Sequence, residues 1–232
     1  FPFGQGWGFG TVNPKIWEDW FDDDIRKTGS IFNVTNRNEV VLYTFGADSH
    51  VDETSYVQKK YIPINVYADG THTVVHNYSM ELYGNTVDNY MLNNTQDLVL
   101  IRFADVLLMA AELNLGTAKA QSFLDRVRAR VNLPSVPATL DNIKAERRFE
   151  LAFEGVRFYD LLRWHDADRV LNENQKDIVI YRSRTETVTK TITYRPETNG
   201  FLQIPLSEIE LSKGVLTANP GWGSEAAYQD IY

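Results

Sequence analysis

The sequence predicts a mainly α-helical fold with short β-hairpins and long loops, and three observations carry that reading. Apolar residues recur at helical spacing through much of residues 97–170. Residues 38–90 and 178–195 are instead rich in β-branched and aromatic residues. Of the 232 residues, 43% are hydrophobic and 12% aromatic, enough to fill a core and too apolar for general disorder. A chain of this length makes one large domain or two small ones.

In chain order, residues 1–10 alternate Gly4, Gly6, Gly8 and Gly10 with Phe3, Trp7 and Phe9. That is too glycine-rich for a helix and too permissive for a regular strand, so it reads as a loop carrying aromatics. A helix follows, with Asn13 as N-cap, Pro14 in the first position, and Glu18 and Asp19 placed early for the helix dipole. Ile16, Trp17, Trp20 and Phe21 then share one face, so Trp17 and Trp20 are expected in the core. VVLYTF, YVQKKYIPINVY and THTVVHNY, separated by Gly46 and by Asp69-Gly70, read as short strands, and with the leading loop and helix they make up residues 1–96.

Residues 97–170 read as a helical hairpin followed by one long helix. The hairpin runs to about residue 115, breaks at Gly116 and resumes over 118–131. Leu133, Pro134 and Pro137 interrupt it, and a single helix is expected over 140–170, capped by Thr139 or Asp141. In residues 171–232, IVIYRSRT and TVTKTITYR form a hairpin ahead of a tail containing LQIPLSEIEL and ANPGW.

The expected long helix carries the densest chemistry. Around residues 146–164, Leu151, Phe158, Tyr159 and Leu162 fall on one arc, and Phe153, Val156, Leu161 and Trp164 on much of the opposite one. The helix is therefore expected to be buried on more than one side. Glu146, Glu150 and Glu154 follow at i+4, and Arg157, Asp160 and Arg163 continue from Glu154 at i+3. Buried charges need partners. Arg102, Asp105 and Glu112 on the first hairpin helix and Arg128 and Arg130 on the second are the natural complements, which predicts a structural ion-pair network between packed helices. The competing reading is catalytic, because glycosidases set two carboxylates across a bond. Arg residues matched at helical spacing favour structure, since ion-pair networks also perturb carboxylates.

Other chemistry is thinner. With 23 Lys and Arg against 31 acidic residues the net charge is −8, which disfavours nucleic acid and anionic membrane surfaces as partners. Cysteine is absent, so thiolate chemistry, disulfides and zinc ribbons are excluded. His72 and His76 sit in a strand-like run that would hold them roughly 13 Å apart, too far for one metal. Asp22, Asp23 and Asp24 lack the spacing of an EF-hand loop and read as a cap or a solvated turn. GWGFG lacks the context of a dinucleotide-binding loop, and no serine elbow or triad order emerges. The most apolar window, residues 98–115, is interrupted by Arg102, Asp105 and Glu112 and falls short of the roughly 20 apolar residues a bilayer requires. The opening FPFGQGWGFG has neither Met nor a signal-like apolar run, so the chain reads as a fragment.

Several segments together resemble the SusD/RagB family. RFADVLLMAAE (102–112), FLDRVRARVNLP (123–134), IKAERRFELAFEGVRFYDLLRW (143–164), LQIPLSEIEL (202–211) and ANPGW (218–222) match its C-terminal region in order and spacing. PKIWEDWFDDDIRK, with its Asp24-x-Arg26 pair, and YVQKKY look like its middle segment. The resemblance implies a SusD-like C-terminal half without the N-terminal tetratricopeptide-type half. It also implies a cell-surface lipoprotein of the outer membrane, anchored by a lipid outside these residues. Such a protein binds an oligo- or polysaccharide, or for some members a peptide, and delivers it to a SusC-like TonB-dependent transporter. It implies no catalysis and no cofactor. Asp125, where Asn is usual, and Ala218, where Gln is common, depart from the family pattern. Trp7, with Phe9 and Phe3, is the candidate ligand contact, because exposed rings on a loop suit stacking on sugar faces. The same rings could instead plug a domain seam.

Overall fold

The computed structural model describes residues 11–33, 54, 56–60, 65–67, 74–77, 98–174, 177–181 and 187–223. These residues are mainly helical with short strands, in two compact units: Phe1–Arg157 with Ile178–Lys190, and Phe158–Asp177 with Thr191–Tyr232.

The first unit opens with α1, Pro14–Asp19, capped by Asn13, whose side chain accepts the Lys15 N–H at 3.0 Å. The helix is only six residues long, so Glu18 and Asp19 lie at its end, not in the first turn. Asp19 pairs with Arg148 at 2.6 Å. α2, Ile25–Ser30, follows and runs into β1, Ile31–Asn33, which pairs antiparallel with β2, Tyr56–Gln58, in the register Phe32 opposite Val57. A second antiparallel pair, β3 (Asn65–Tyr67) and β4 (Val74–Asn77), carries a register shift between Val66 and Tyr67.

The helical hairpin is α3, Phe103–Leu113, and α4, Ala118–Ala129. Between them Gly116 takes φ +79°, a conformation that costs glycine nothing, and Thr117 caps α4. α5, Leu140–Glu150, is capped by Thr139, whose hydroxyl accepts the Asn142 N–H at 3.2 Å. Leu107, Leu108 and Ala111 of α3, Leu124 and Val127 of α4 and Ile143 of α5 close one core. A second core gathers Val12, Trp20, Ile31, Phe149 and Ala152, with the Trp20 and Phe149 rings 5.0 Å apart. Trp20 is only 2% exposed; Trp17 is half-buried, stacked on Tyr56 at 5.0 Å, and Phe21 is 72% exposed. A helix that stops at Asp19 cannot hold Trp20 and Phe21 on the face that carries Ile16 and Trp17.

The long helix expected over 140–170 is broken. α5 ends at Glu150, Phe153 and Gly155 take φ of +67° and +78°, and the next helix, α6, is Arg157–Arg163. Left-handed residues cannot sit inside a right-handed helix, so apolar residues spaced helically in the sequence are divided among separate elements. His165, at φ +56°, follows α6 before a π-helical turn, Arg169–Asn174.

In the second unit Leu161, Ala167 and Val170 form a small core with Leu162, Leu171 and Tyr194 against it. The Asn172 amide clamps Tyr194, donating to its carbonyl at 2.8 Å and accepting its N–H at 2.6 Å. A 3₁₀ turn, Pro196–Thr198, and α7, Leu206–Leu211, follow. Strands β5 (Asp177–Tyr181) and β6 (Thr187–Thr191), which apart from Asp177 and Thr191 belong to the first unit, form a third two-stranded sheet. No helix among the described residues is long and apolar enough to cross a membrane.

Candidate functional site

Asp24 begins the site as the cap of α2. Its carboxylate accepts the Arg26 backbone N–H at 3.0 Å, which satisfies one of the orphan donors of a helix start. The cap also turns Arg26 back onto Asp24: Nε donates to Oδ1 at 2.9 Å and Nη2 to Oδ2 at 2.7 Å, and Trp20 Nε1 adds a third donor at 2.9 Å. Arg26 Nη1 then reaches α5, at 2.6 Å from Glu146 Oε1 and 2.7 Å from Glu150 Oε2. The i, i+4 spacing of the two glutamates puts both within reach of one guanidinium.

From Glu146 and Glu150 the cluster spreads. Arg128 Nη1 donates to Glu146 Oε2 at 2.6 Å, and Arg130 Nη2 bridges both Glu150 oxygens at 2.9 and 2.8 Å. Arg102, just before α3, donates from Nη1 to Glu150 Oε1 at 2.6 Å and from Nε to Glu154 Oε2 at 2.7 Å. Its Nη2 bonds Glu154 Oε1 at 2.9 Å and the Glu150 carbonyl. Lys60 Nζ joins from the other side, 2.7 Å from Glu154 Oε1 and 3.1 Å from the Glu150 carbonyl. Because α5 ends at Glu150, Glu154 stands in the following turn, where Arg102 and Lys60 can both meet it. Beside the cluster, Arg147 Nη1 holds Asp105 at 2.7 Å. Glu112, half-buried on α3, is engaged as well.

The electrostatics follow from burial set against pairing. Burial by itself pushes Asp24 and Glu150 up, but hydrogen bonds from Arg26 and Trp20 to Asp24, and from Arg102 and Arg26 to Glu150, leave both carboxyls below the usual range. Burial pulls Arg26 and Arg102 down, and their carboxylate partners more than reverse it. At Lys60 burial wins over the Glu154 contact, and the ammonium titrates below its ordinary value. The Glu150 side chain is fully buried and that of Arg26 is 8% exposed, whereas that of Arg130 is 56% exposed.

Of the charged residues singled out in the sequence, Arg102, Glu146, Glu150 and Glu154 come together here, with Arg128 and Arg130. Asp105 stands beside them with Arg147. Asp160 lies after the break that follows α5 and accepts from Arg163 Nε, three residues on, at 2.8 Å; both belong to the second unit. Arg157 is half-buried and engaged at the start of α6. Arg26, Lys60 and Arg147 complete the picture, and only the Asp24-x-Arg26 spacing hinted at any of them. Trp7, Phe9, Phe3 and His72 lie outside the described residues.

An open cleft of about 360 Å³ lies against the cluster, its lining both charged (Lys60, Arg102, Arg130, Glu150, Glu154) and apolar (Ile25, Val131, Phe149). All these residues belong to the first unit.

Comparison with known proteins places this geometry. A model of the SusD family matches residues 4–222. SusD-like protein P2 of Formosa agariphila is 25% identical over 189 residues, which is 74% of this chain and 34% of that protein. Among solved structures, a laminarin binding SusD-like protein is 32% identical at a TM-score of 0.67, covering 94% of this chain and 40% of that one. Surface glycan-binding protein A from Bacteroides thetaiotaomicron is 25% identical at a TM-score of 0.65, covering 94% and 42%. The chain thus spans less than half the length of these relatives.

Proposed function

The chain belongs to the SusD family, and from that premise we propose that it is the glycan-binding part of a non-catalytic surface protein that hands oligosaccharides to a transporter. The observation that carries the reading is the similarity over 94% of the chain, at 32% identity, to a protein named for binding laminarin. The full protein, in this reading, is a lipoprotein on the outer face of the outer membrane and works with a SusC-like TonB-dependent transporter. A peptide ligand is the alternative that the family leaves open.

The ligand contact we propose is Trp7, with Phe9 and Phe3 as weaker companions. Gly6 and Gly8 flank Trp7 and give it no neighbouring side chain to cover the ring. An aromatic face offers sugars a broad apolar platform. Trp20 supplies the contrast, being buried in the core and bonded to Asp24. Calorimetric titration with laminarin oligosaccharides tests this. Trp7→Ala is expected to weaken binding with an unchanged melting temperature. Trp20→Ala is expected to destabilise by about 3–5 kcal/mol, as large core truncations do. Lost stability with Trp7→Ala, and intact binding per folded molecule, would make the loop a structural plug.

A further inference from the structure

The cleft beside the ion-pair cluster offers a ligand donors and no vacant acceptors. Glu150 Oε1 already takes Arg102 and Arg130, and Oε2 takes Arg26 and Arg130. Glu154 Oε1 takes Lys60 and Arg102, and Oε2 takes Arg102. Arg130, more than half exposed, uses only Nη2, so its Nε and Nη1 have no acceptor among the described residues. Both two-donor edges of a guanidinium share one Nη, here the occupied Nη2, so what Arg130 keeps for an anion is single donors, Nε–H on one side and Nη1–H on the other. Asp24, Glu146, Glu150 and Glu154 are met by Arg26, Lys60, Arg102, Arg128 and Arg130, one cation more than there are carboxylates.

The space fits as well. About 360 Å³ falls at the small end of ligand pockets, and the apolar part of the lining suits the C–H face of a sugar ring. Gly29 lines the cleft, and a Cβ built on it meets nothing within 4 Å. Helix α2 would be better served by alanine at that position, and neither packing nor backbone conformation explains the glycine.

We propose that this cleft binds an anionic sugar unit, a uronate carboxylate or a sulfate ester, through an unused donor of Arg130, with Lys60 and Arg102 also lining it. The inference rests on the glycan-binding reading and adds an acidic sugar unit to what the chain binds.

The test titrates the 232-residue chain with laminarin oligosaccharides, oligogalacturonate, a sulfated carrageenan oligosaccharide and sodium sulfate alone, with Gly29→Leu and Arg130→Met beside the wild type. Gly29→Leu adds bulk at a cleft residue that makes no ion pair; Arg130→Met removes the guanidinium, and melting curves establish that both fold. At least one acidic oligosaccharide is expected to bind, to weaken as salt is raised, and to lose about tenfold in affinity in each variant; whichever acidic ligand does so identifies the group. Laminarin binding is expected to be unchanged in both variants. Absence of binding by either acidic oligosaccharide, or binding indifferent to Gly29→Leu and Arg130→Met, overturns the proposal. Laminarin binding bears separately on the glycan-binding reading. Binding of sulfate alone with no acidic oligosaccharide reduces the cleft to a simple anion site and likewise overturns the sugar assignment.

Discussion

Arg26 is the residue on which the cluster depends. Among the described residues it is the one cation that touches all of Asp24, Glu146 and Glu150, and its side chain is almost fully buried. Removing one member of a buried ionic group leaves the others desolvated and uncompensated, so Arg26→Ala is expected to cost about 3–5 kcal/mol in urea unfolding. Arg130→Ala is expected to cost under about 1 kcal/mol, because solvent already screens that side chain. Equal losses would contradict this division. The lowered carboxyls of Asp24 and Glu150 add a pH dependence. A carboxyl whose folded pKa lies below its unfolded one contributes stability that is fully present above the unfolded value, near pH 4. That stability is lost as pH falls through the folded value. Melting temperature is therefore expected to hold from pH 7 to about 5 and then drop on further acidification, less steeply when both residues are replaced by Asn and Gln. Sequence spacing made the glutamates of α5 legible as a charged face, since i+4 is a local relation. It could not assign Arg26 to Glu146, 120 positions away, because long-range pairing is set by how α2 and α5 meet.

At the scale of elements, the starts of α1, α4 and α5 and the break at Gly116 were readable, whereas the end of α5 and the start of α6 were not. Asn13, Thr117 and Thr139 each cap a helix through a side-chain bond within three residues, a signal written in adjacent sequence. The break after Glu150 depends on Phe153 and Gly155 taking positive φ, and the apolar period runs on past it because separate cores also need apolar residues. The ANPGW tail shows the same limit. Asn219 donates to the Leu202 carbonyl at 2.7 Å and Trp222 Nε1 to the Phe201 carbonyl at 3.0 Å, so the motif fastens the tail to residues far back in the chain. Between them Gly221 stands at φ +82°, and a Cβ there would lie 2.8 Å from Thr198 Cγ2 and 2.9 Å from the Thr198 backbone nitrogen. Gly155, at φ +78°, has open space around it. Gly155→Ala is thus expected to cost about 1–2 kcal/mol from backbone conformation alone, and Gly221→Ala distinctly more, with the clash added. Thermal unfolding that ranks them the other way would mean the tail yields.

For the whole molecule, the question is whether a chain so rich in juxtaposed carboxylates works by chemistry or by binding. Hydrolysis of a glycosidic bond needs one carboxyl held protonated at working pH and a second placed across the bond as base or nucleophile. Glu150 cannot be that acid, because its arginine partners hold its carboxyl low and its side chain is closed to solvent. Glu154 has both oxygens occupied, by Arg102 and Lys60. Releasing either for proton transfer would mean dismantling the cluster that joins α2 and α5 to Arg102. The carboxylates serve to hold elements together. Incubating the chain with laminarin and oligogalacturonate for days and following the reducing ends is expected to give no fragments beyond buffer controls. Fragments that appear with the wild type and vanish in a folded Glu150→Gln or Glu154→Gln variant would make the cluster catalytic. Such an outcome would also require one of these carboxyls to titrate near neutrality, opposite to the direction its buried guanidinium partners impose at Glu150.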